Sequence, residues 1–175
     1  MKADMDNTFK IIYENESDAV FRFCLVRVSD REEALDITQE TFLRLWKSLQ
    51  DGQNILNSRA FLFTIARRLI IDWYRKKKSL SLDSMLEREG GYDISDDKTV
   101  EDSNFSLSEG RYLLSKINEL DLSYRDPVYL RFVEGLSPPE IGEVLGISTG
   151  ATSVRINRGL AELRRIAGYN NETKG

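Results

Sequence analysis

The sequence predicts an all-α protein of two small helical domains, residues 1–78 and 109–175, joined by an acidic flexible linker over residues 79–108. Three observations carry that expectation. Apolar residues recur at three- and four-residue steps on both sides of the chain's middle. The middle is rich in Ser, Asp and Gly and shows no sustained helical period. Helix-start and helix-stop residues then punctuate the C-terminal third at short intervals. With 175 residues, 41% of them hydrophobic, the chain fills one ordinary core or two small ones.

Charge divides the chain the same way. Residues 1–78 carry 14 Lys and Arg against 12 Asp and Glu, residues 79–109 carry 2 against 9, and residues 110–175 carry 9 against 8. The net charge of −4 is therefore the mark of the middle segment, and both flanks are slightly basic.

In the first flank, Ala34, Ile37, Thr38, Thr41, Phe42, Leu45 and Leu49 form one face of a long amphipathic helix, with Asp30 and Glu33 at its start. A second helix follows in "SRAFLFTIARRLIIDWYRKKK". Ser58 is placed to cap it, Phe61, Ile65, Leu69 and Trp73 repeat every four residues, and Leu62, Ala66 and Ile70 widen the stripe. Cations at 75–78 suit the negative end of the helix dipole. In the second flank, Ser106 with Glu109 and Ser137 with Glu140 read as capping boxes, Ser123 and Asp126 open a helix with Pro127 in its first turn, and Pro138 takes the first helical position. Gly146 ends one helix and Ser148 caps the next. Two helices joined by "GIS" have the spacing of a helix-turn-helix, a unit that either enters the DNA major groove or simply makes a tight hairpin.

Several function classes recede at once. The chain has no histidine, which removes the usual imidazole base and most transition-metal sites. No paired-carboxylate or glycine-rich phosphate motif stands out, so neither a metal nor a cofactor is expected, and a Mg²⁺-dependent nucleic-acid enzyme is the remote reading. The single cysteine, Cys24, lies in "VFRFCLV" and reads as a buried residue. The N-terminal "MKADMDNTFK" lacks the apolar stretch of a signal peptide, and "AFLFTIA" is too short to span a membrane, so a cytoplasmic protein without stable membrane insertion is expected.

Taken in order, these segments resemble the bacterial RNA polymerase sigma factors of the short extracytoplasmic-function type, which keep only the second and fourth sigma domains. The stretch "ALDITQETFLRLW" is similar to the family's helix that docks on the coiled coil of the polymerase clamp. By position the resemblance makes Asp36, Gln39, Glu40, Phe42 and Trp46 candidates for that surface. "FLFTIARRLIIDWYRKKK" resembles the helix that reads and opens the minus-ten promoter element, giving Arg67, Arg68, Asp72, Trp73, Tyr74, Arg75, Lys76 and Lys77 as candidates. The region from Ile117 to Arg164 resembles the domain that binds the minus-thirty-five element, with Ser148, Thr149, Ser153, Arg155 and Arg158 on or beside its recognition helix. The resemblance implies bacterial core RNA polymerase, promoter DNA as duplex and as melted non-template strand, and an anti-sigma protein as partners. For the acidic linker it implies a path through the polymerase toward the RNA exit; a solvated tether explains the same composition.

The chain departs from the family pattern at named positions. Arg68 stands where an asparagine usually lines the pocket for a flipped base, and a guanidinium does not reproduce an amide's paired donor and acceptor. In the recognition helix Thr152, Ser153 and Val154 replace the common valine, lysine and serine, and Leu160 replaces a later cation, so the helix grips phosphates less firmly and exposes more apolar surface.

Physical chemistry explains what the cluster at 73–78 offers. Arg75, Lys76, Lys77 and Lys78 each supply a cation for a phosphate, changing the salt slope by about −0.9 on duplex and about −0.7 on single strands. Trp73 and Tyr74 supply flat faces for unpaired bases at about 1–3 kcal/mol each. Opening ten base pairs costs about 14 kcal/mol at a mean of about 1.4 per step. Two stacked bases fall well short of that, so a melting role requires a large partner. The competing expectation is a stand-alone helix-turn-helix regulator that occupies duplex DNA without polymerase.

Overall fold

A computed structural model of the chain describes residues 2–87 and 108–169, all helix, turn or loop. The expected linker lies mostly outside the described residues, as does Ser106.

The N-terminal unit consists of α1 (Lys2–Val28), α2 (Arg31–Gln50) and α3 (Ser58–Glu87), each packed against the other two. Ser29, with φ of 55°, breaks α1 from α2, and Asp30 then caps α2 by accepting from the Glu33 N–H at 3.0 Å. The α2 face predicted from periodicity is the buried one, through Ala34, Ile37, Thr38, Thr41, Phe42 and Leu45. Thr38 and Thr41 are buried with their hydroxyls donating to the carbonyls of Ala34 and Ile37 at 2.7 Å, so neither leaves an unmet polar group. The Cys24 thiol is fully buried, and burial pushes its pKa up to about 11.

Two details of α3 differ from the sequence expectation. Asn57, one residue before the expected Ser58, is the cap, its Oδ1 accepting from the Ala60 N–H at 2.9 Å. Both residue types make good caps and they are adjacent, so local preference cannot separate them. The helix also continues past residue 78 to Glu87. Its buried face is centred on Leu62, Phe63, Ala66 and Ile70, while Phe61, Leu69 and Trp73 are half-buried at its edge.

The C-terminal unit consists of α4 (Ser108–Glu119), α5 (Leu122–Phe132), α6 (Pro138–Leu145) and α7 (Thr149–Ile166). Asp121 caps α5, accepting from the Ser123 N–H at 2.9 Å. The expected start at Ser123 with Asp126 is therefore corrected by two positions, and Pro127 lies beyond the first turn. At α6 the Glu140 carboxylate accepts from both the N–H and the hydroxyl of Ser137, at 2.7 and 2.8 Å. Gly146 ends α6 at φ 68°, and Ser148 caps α7 by accepting from the Ala151 N–H at 3.1 Å. Gly142 lets the two helices of this hairpin close, since a Cβ there would lie 2.9 Å from the Ile147 carbonyl oxygen.

The two units share one apolar core. Phe23 of α1 meets Phe63 edge-on at a centroid distance of 5.4 Å and Tyr129 of α5 at 5.5 Å, and α6 lies against α3. Around this contact, Arg22, Arg27, Arg59 and Arg67 of the first unit pair with Glu134 and Asp126 of the second.

Candidate protein and nucleic-acid interfaces

Helix α2 is flanked by two open grooves. Between it and α1, Phe9, Tyr13, Gln39, Phe42, Leu43 and Trp46 form an almost wholly apolar groove with Asp6 at its edge. Its walls are rings held edge to face, Phe9 on Trp46 at 5.0 Å and Tyr13 on Phe42 at 4.8 Å. Between α2 and α3 the second groove is mixed, with Asp36, Glu40, Leu69, Trp73, Arg75 and Lys76 among its lining. The five residues expected to dock on polymerase thus divide, Gln39, Phe42 and Trp46 to the first groove and Asp36 and Glu40 to the second.

Their exposure separates roles. Asp36 and Gln39 are exposed, Trp46 is half-buried, and Glu40 accepts from its neighbour Arg44 at 2.8 Å. Phe42 is only 3% exposed and forms the groove floor rather than a projecting contact. Sequence reasoning missed Leu43, 53% exposed between Gln39 and Trp46, and also Phe9 and Tyr13. A leucine on the polar side of the α2 period was the available signal; the two rings belong to another helix and gave none.

The C-terminal half of α3 carries the aromatic and basic cluster. Arg68, Tyr74, Arg75, Lys76 and Lys77 are exposed, and Arg75 lies 3.7 Å from Asp72 in a solvent-exposed pair, a kind worth about 0–1 kcal/mol. Trp73 and Tyr74 meet edge to face at 4.9 Å. Neither ring is wholly open: Trp73 is half-buried with the Lys77 ammonium 4.8 Å from its centroid, and the Tyr74 hydroxyl donates to the Arg27 carbonyl. Arg67 points elsewhere, its Nε donating to Asp126 Oδ2 at 3.0 Å. Burial, followed by the nearby Arg155 charge, holds its pKa below the ordinary arginine value.

On α7, Ser148, Thr149 and Arg158 are exposed and Ser153 and Arg155 half-buried. Ser148 is occupied as a cap, and the Ser153 hydroxyl donates back to the Thr149 carbonyl at 3.1 Å. Thr152 is fully buried with its hydroxyl bonded to the Ser148 carbonyl at 2.9 Å, which explains how a hydroxyl fits at an apolar position. Val154 is 47% exposed beside the polar residues, in agreement with the expected gain of apolar surface. Among the described residues, no group of three acidic or cysteine side chains is arranged to hold a metal ion, and no helix is long and apolar enough to cross a membrane.

Comparison with known proteins agrees with this division of the chain. Residues 12–80 match the family model described as Sigma-70 region 2, and residues 110–163 match Sigma-70, region 4. The chain is 32% identical over 170 residues to the ECF RNA polymerase sigma factor SigW of Bacillus subtilis, covering 94% of this chain and 90% of that protein. It is 30% identical over 166 residues to the ECF RNA polymerase sigma factor SigE of Mycolicibacterium smegmatis, covering 93% of this chain and 63% of the relative. In fold it is similar to the sigma factor RpoE of Bartonella quintana, solved in complex with the anti-sigma factor NepR, with a TM-score of 0.75 at 21% identity over 94% of this chain and 99% of that one. The seven helices among the described residues, the order of the two matched regions and a likeness to SigW that covers 94% of this chain lead to one conclusion: the chain belongs to the ECF family of RNA polymerase sigma factors.

Proposed function

We propose that this chain binds bacterial core RNA polymerase through the two grooves flanking α2, directs it to promoters through α3 and α7, and helps to trap the melted non-template strand. The observation that carries the reading is the shared α2–α3 groove, in which the polymerase candidates Asp36 and Glu40 line the same depression as Trp73, Arg75 and Lys76. A surface that docks on polymerase is thereby continuous with one that meets DNA. The apolar groove of Phe9, Tyr13, Phe42, Leu43 and Trp46 supplies most of the protein contact area, and Asp36 and Gln39 fix its register.

On α3, Lys77 moves off the Trp73 ring to a phosphate when a base stacks there, exchanging one cation–π contact for a stacking contact of about 1–3 kcal/mol. Arg68, Arg75 and Lys76 supply phosphate contacts. On α7, Thr149, Ser153, Arg155 and Arg158 read or position the upstream element, and Ser148 presents the helix N-terminus to the backbone. The protein performs no chemistry, needs no cofactor or metal, acts in the cytoplasm, and is held in check by an anti-sigma protein. Residues 1–78 and 109–175 are the two functional units, with the acidic stretch between them.

The reading is tested by transcription from a genomic promoter library with core polymerase, with and without the chain. Discrete starts that require both components support it. Sequence-specific binding to duplex DNA by the chain alone, with no effect on core, is the outcome of the stand-alone regulator.

A further inference from the structure

Val154 stands at the centre of the outward face of α7. The helix buries Thr152, Ile156, Gly159 and Leu163, and Val154, two residues from both Thr152 and Ile156, lies on the opposite side at 3.6 residues per turn. It is 47% exposed. Gly150, Ala151, Asn157, Arg158 and Ala161 share that side and are exposed as well. Apart from the single methyls of Ala151 and Ala161, Val154 is the one apolar side chain among them. A patch this small buries too little area to hold a protein partner, but it matches one methyl group.

Two neighbours say what approaches it. The Asn157 amide bonds to no other described residue, so its donor and its acceptor are both free. Gly150 has no use inside the fold: its φ is not left-handed and a Cβ there would meet nothing within 4 Å, although glycine weakens a helix relative to alanine. At Gly142 and Gly159, by contrast, a Cβ would collide. A glycine with open space before it suits close approach of α7 to a body outside the chain. Arg155 and Arg158 beside this face favour an anionic one.

The second helix of a helix-turn-helix lies in the major groove, where a thymine shows its 5-methyl and an adenine its N7 acceptor beside an N6 donor. We propose that α7 reads two A·T pairs there: Val154 packs its methyls on a thymine 5-methyl, and Asn157 donates from Nδ2 to adenine N7 and accepts at Oδ1 from adenine N6. Side chains three apart on a helix are about 5–6 Å from each other, against about 3.4 Å per base pair, so the adenine falls within about two base pairs of the thymine. That this DNA is a promoter element rests on the initiation-factor reading; the choice of bases rests on α7 alone.

In the experiment the full-length chain, with and without bacterial core RNA polymerase, selects from duplexes carrying a randomised segment, and the enriched duplex is rebuilt with modified bases. Deoxyuridine in place of one thymidine removes only the 5-methyl, and 7-deazaadenine in place of one adenine removes only N7. The wild type is expected to lose about fourfold in affinity at one thymine, the worth of one buried methyl. Val154→Ser loses nothing there, and Val154→Ile keeps the difference. Within about two base pairs, 7-deazaadenine costs the wild type at least about fivefold and Asn157→Ala nothing. Both residues are exposed, so Tm of each variant stays within about 2 °C of the wild type.

A wild type that binds thymine and uracil duplexes alike at every position overturns the proposal, as does a methyl that Val154→Ser senses as strongly as the wild type. An adenine response that survives in Asn157→Ala overturns it too, and so does enrichment of no duplex under either condition. Enrichment by the chain alone, unchanged by core polymerase, defeats the initiation-factor reading instead and leaves both base comparisons to be made on the same duplex.

Discussion

The ring of Phe9 on α1 meets Trp46 on α2 edge to face with centroids 5.0 Å apart, and the pair walls an apolar groove that no part of the described chain fills. Leu43 stands in that groove, 53% exposed. Because its side chain contributes little to the core, Leu43→Asp is expected to weaken core polymerase binding at least tenfold, about 1.4 kcal/mol, while shifting Tm by less than about 2 °C. Surface-immobilised core and a thermal melt check both numbers; a large fall in Tm with unchanged affinity would move Leu43 from the interface to the fold.

Trp73 is half-buried, so its removal has two separable effects. Trp73→Ala is expected to slow open-complex formation about tenfold, in keeping with about 1–3 kcal/mol for one stacked base, and to change closed-complex affinity less than threefold. Permanganate reactivity of promoter thymines follows the first and gel mobility at low temperature the second. Equal losses at both stages would assign Trp73 to packing.

What was legible in the sequence was the chemistry of neighbours. Asp30 with the Glu33 N–H, Ser137 with Glu140, Gly146 and Ser148 all lie within four residues of their partners, and each caps or ends the helix its position predicted. The buried face of α2 followed from its period. What the sequence could not express was distance: Asp126 looks like a residue of an α5 start, yet its partner Arg67 lies 59 positions away. The same holds for the groove, whose Phe9 and Tyr13 belong to a helix that no local pattern ties to Trp46. The expectation of two domains joined only by a tether likewise carried no sign of the Phe23–Tyr129 contact.

Gly159 lies where α7 crosses α5. A Cβ there would come within 2.5 Å of Val128 Cγ2 and 3.0 Å of Tyr124 Cβ. The helix gains propensity from alanine, but overpacking outweighs it, and Gly159→Ala is expected to destabilise the chain by about 1–3 kcal/mol. Chemical denaturation followed by circular dichroism measures the change; a stabilised variant would show that the two helices slide apart at no cost.

Glu140 gives the pH dependence a sign. The Ser137 N–H first, and then Asn57, hold its carboxyl below the ordinary glutamate value, so its folded pKa lies below its unfolded one. Its contribution is therefore present above the unfolded value of about 4.3 and is lost as pH falls through the folded value. Glu140→Gln is expected to be less stable than the wild type at pH 7, with the gap closing below about pH 4. A gap that widens in acid would mean that another group governs the contact.

The central claim is that α2 docks this chain on polymerase. Asp36 is exposed on α2 and lines the groove shared with α3, so reversing its charge tests the interface without disturbing the core. Purified chain and bacterial core RNA polymerase are passed together over a sizing column, wild type beside Asp36→Arg, with circular dichroism on both. Stoichiometric co-elution of the wild type and loss of co-elution by an equally helical Asp36→Arg is the predicted result; equal co-elution of the two, or none by either, would contradict it.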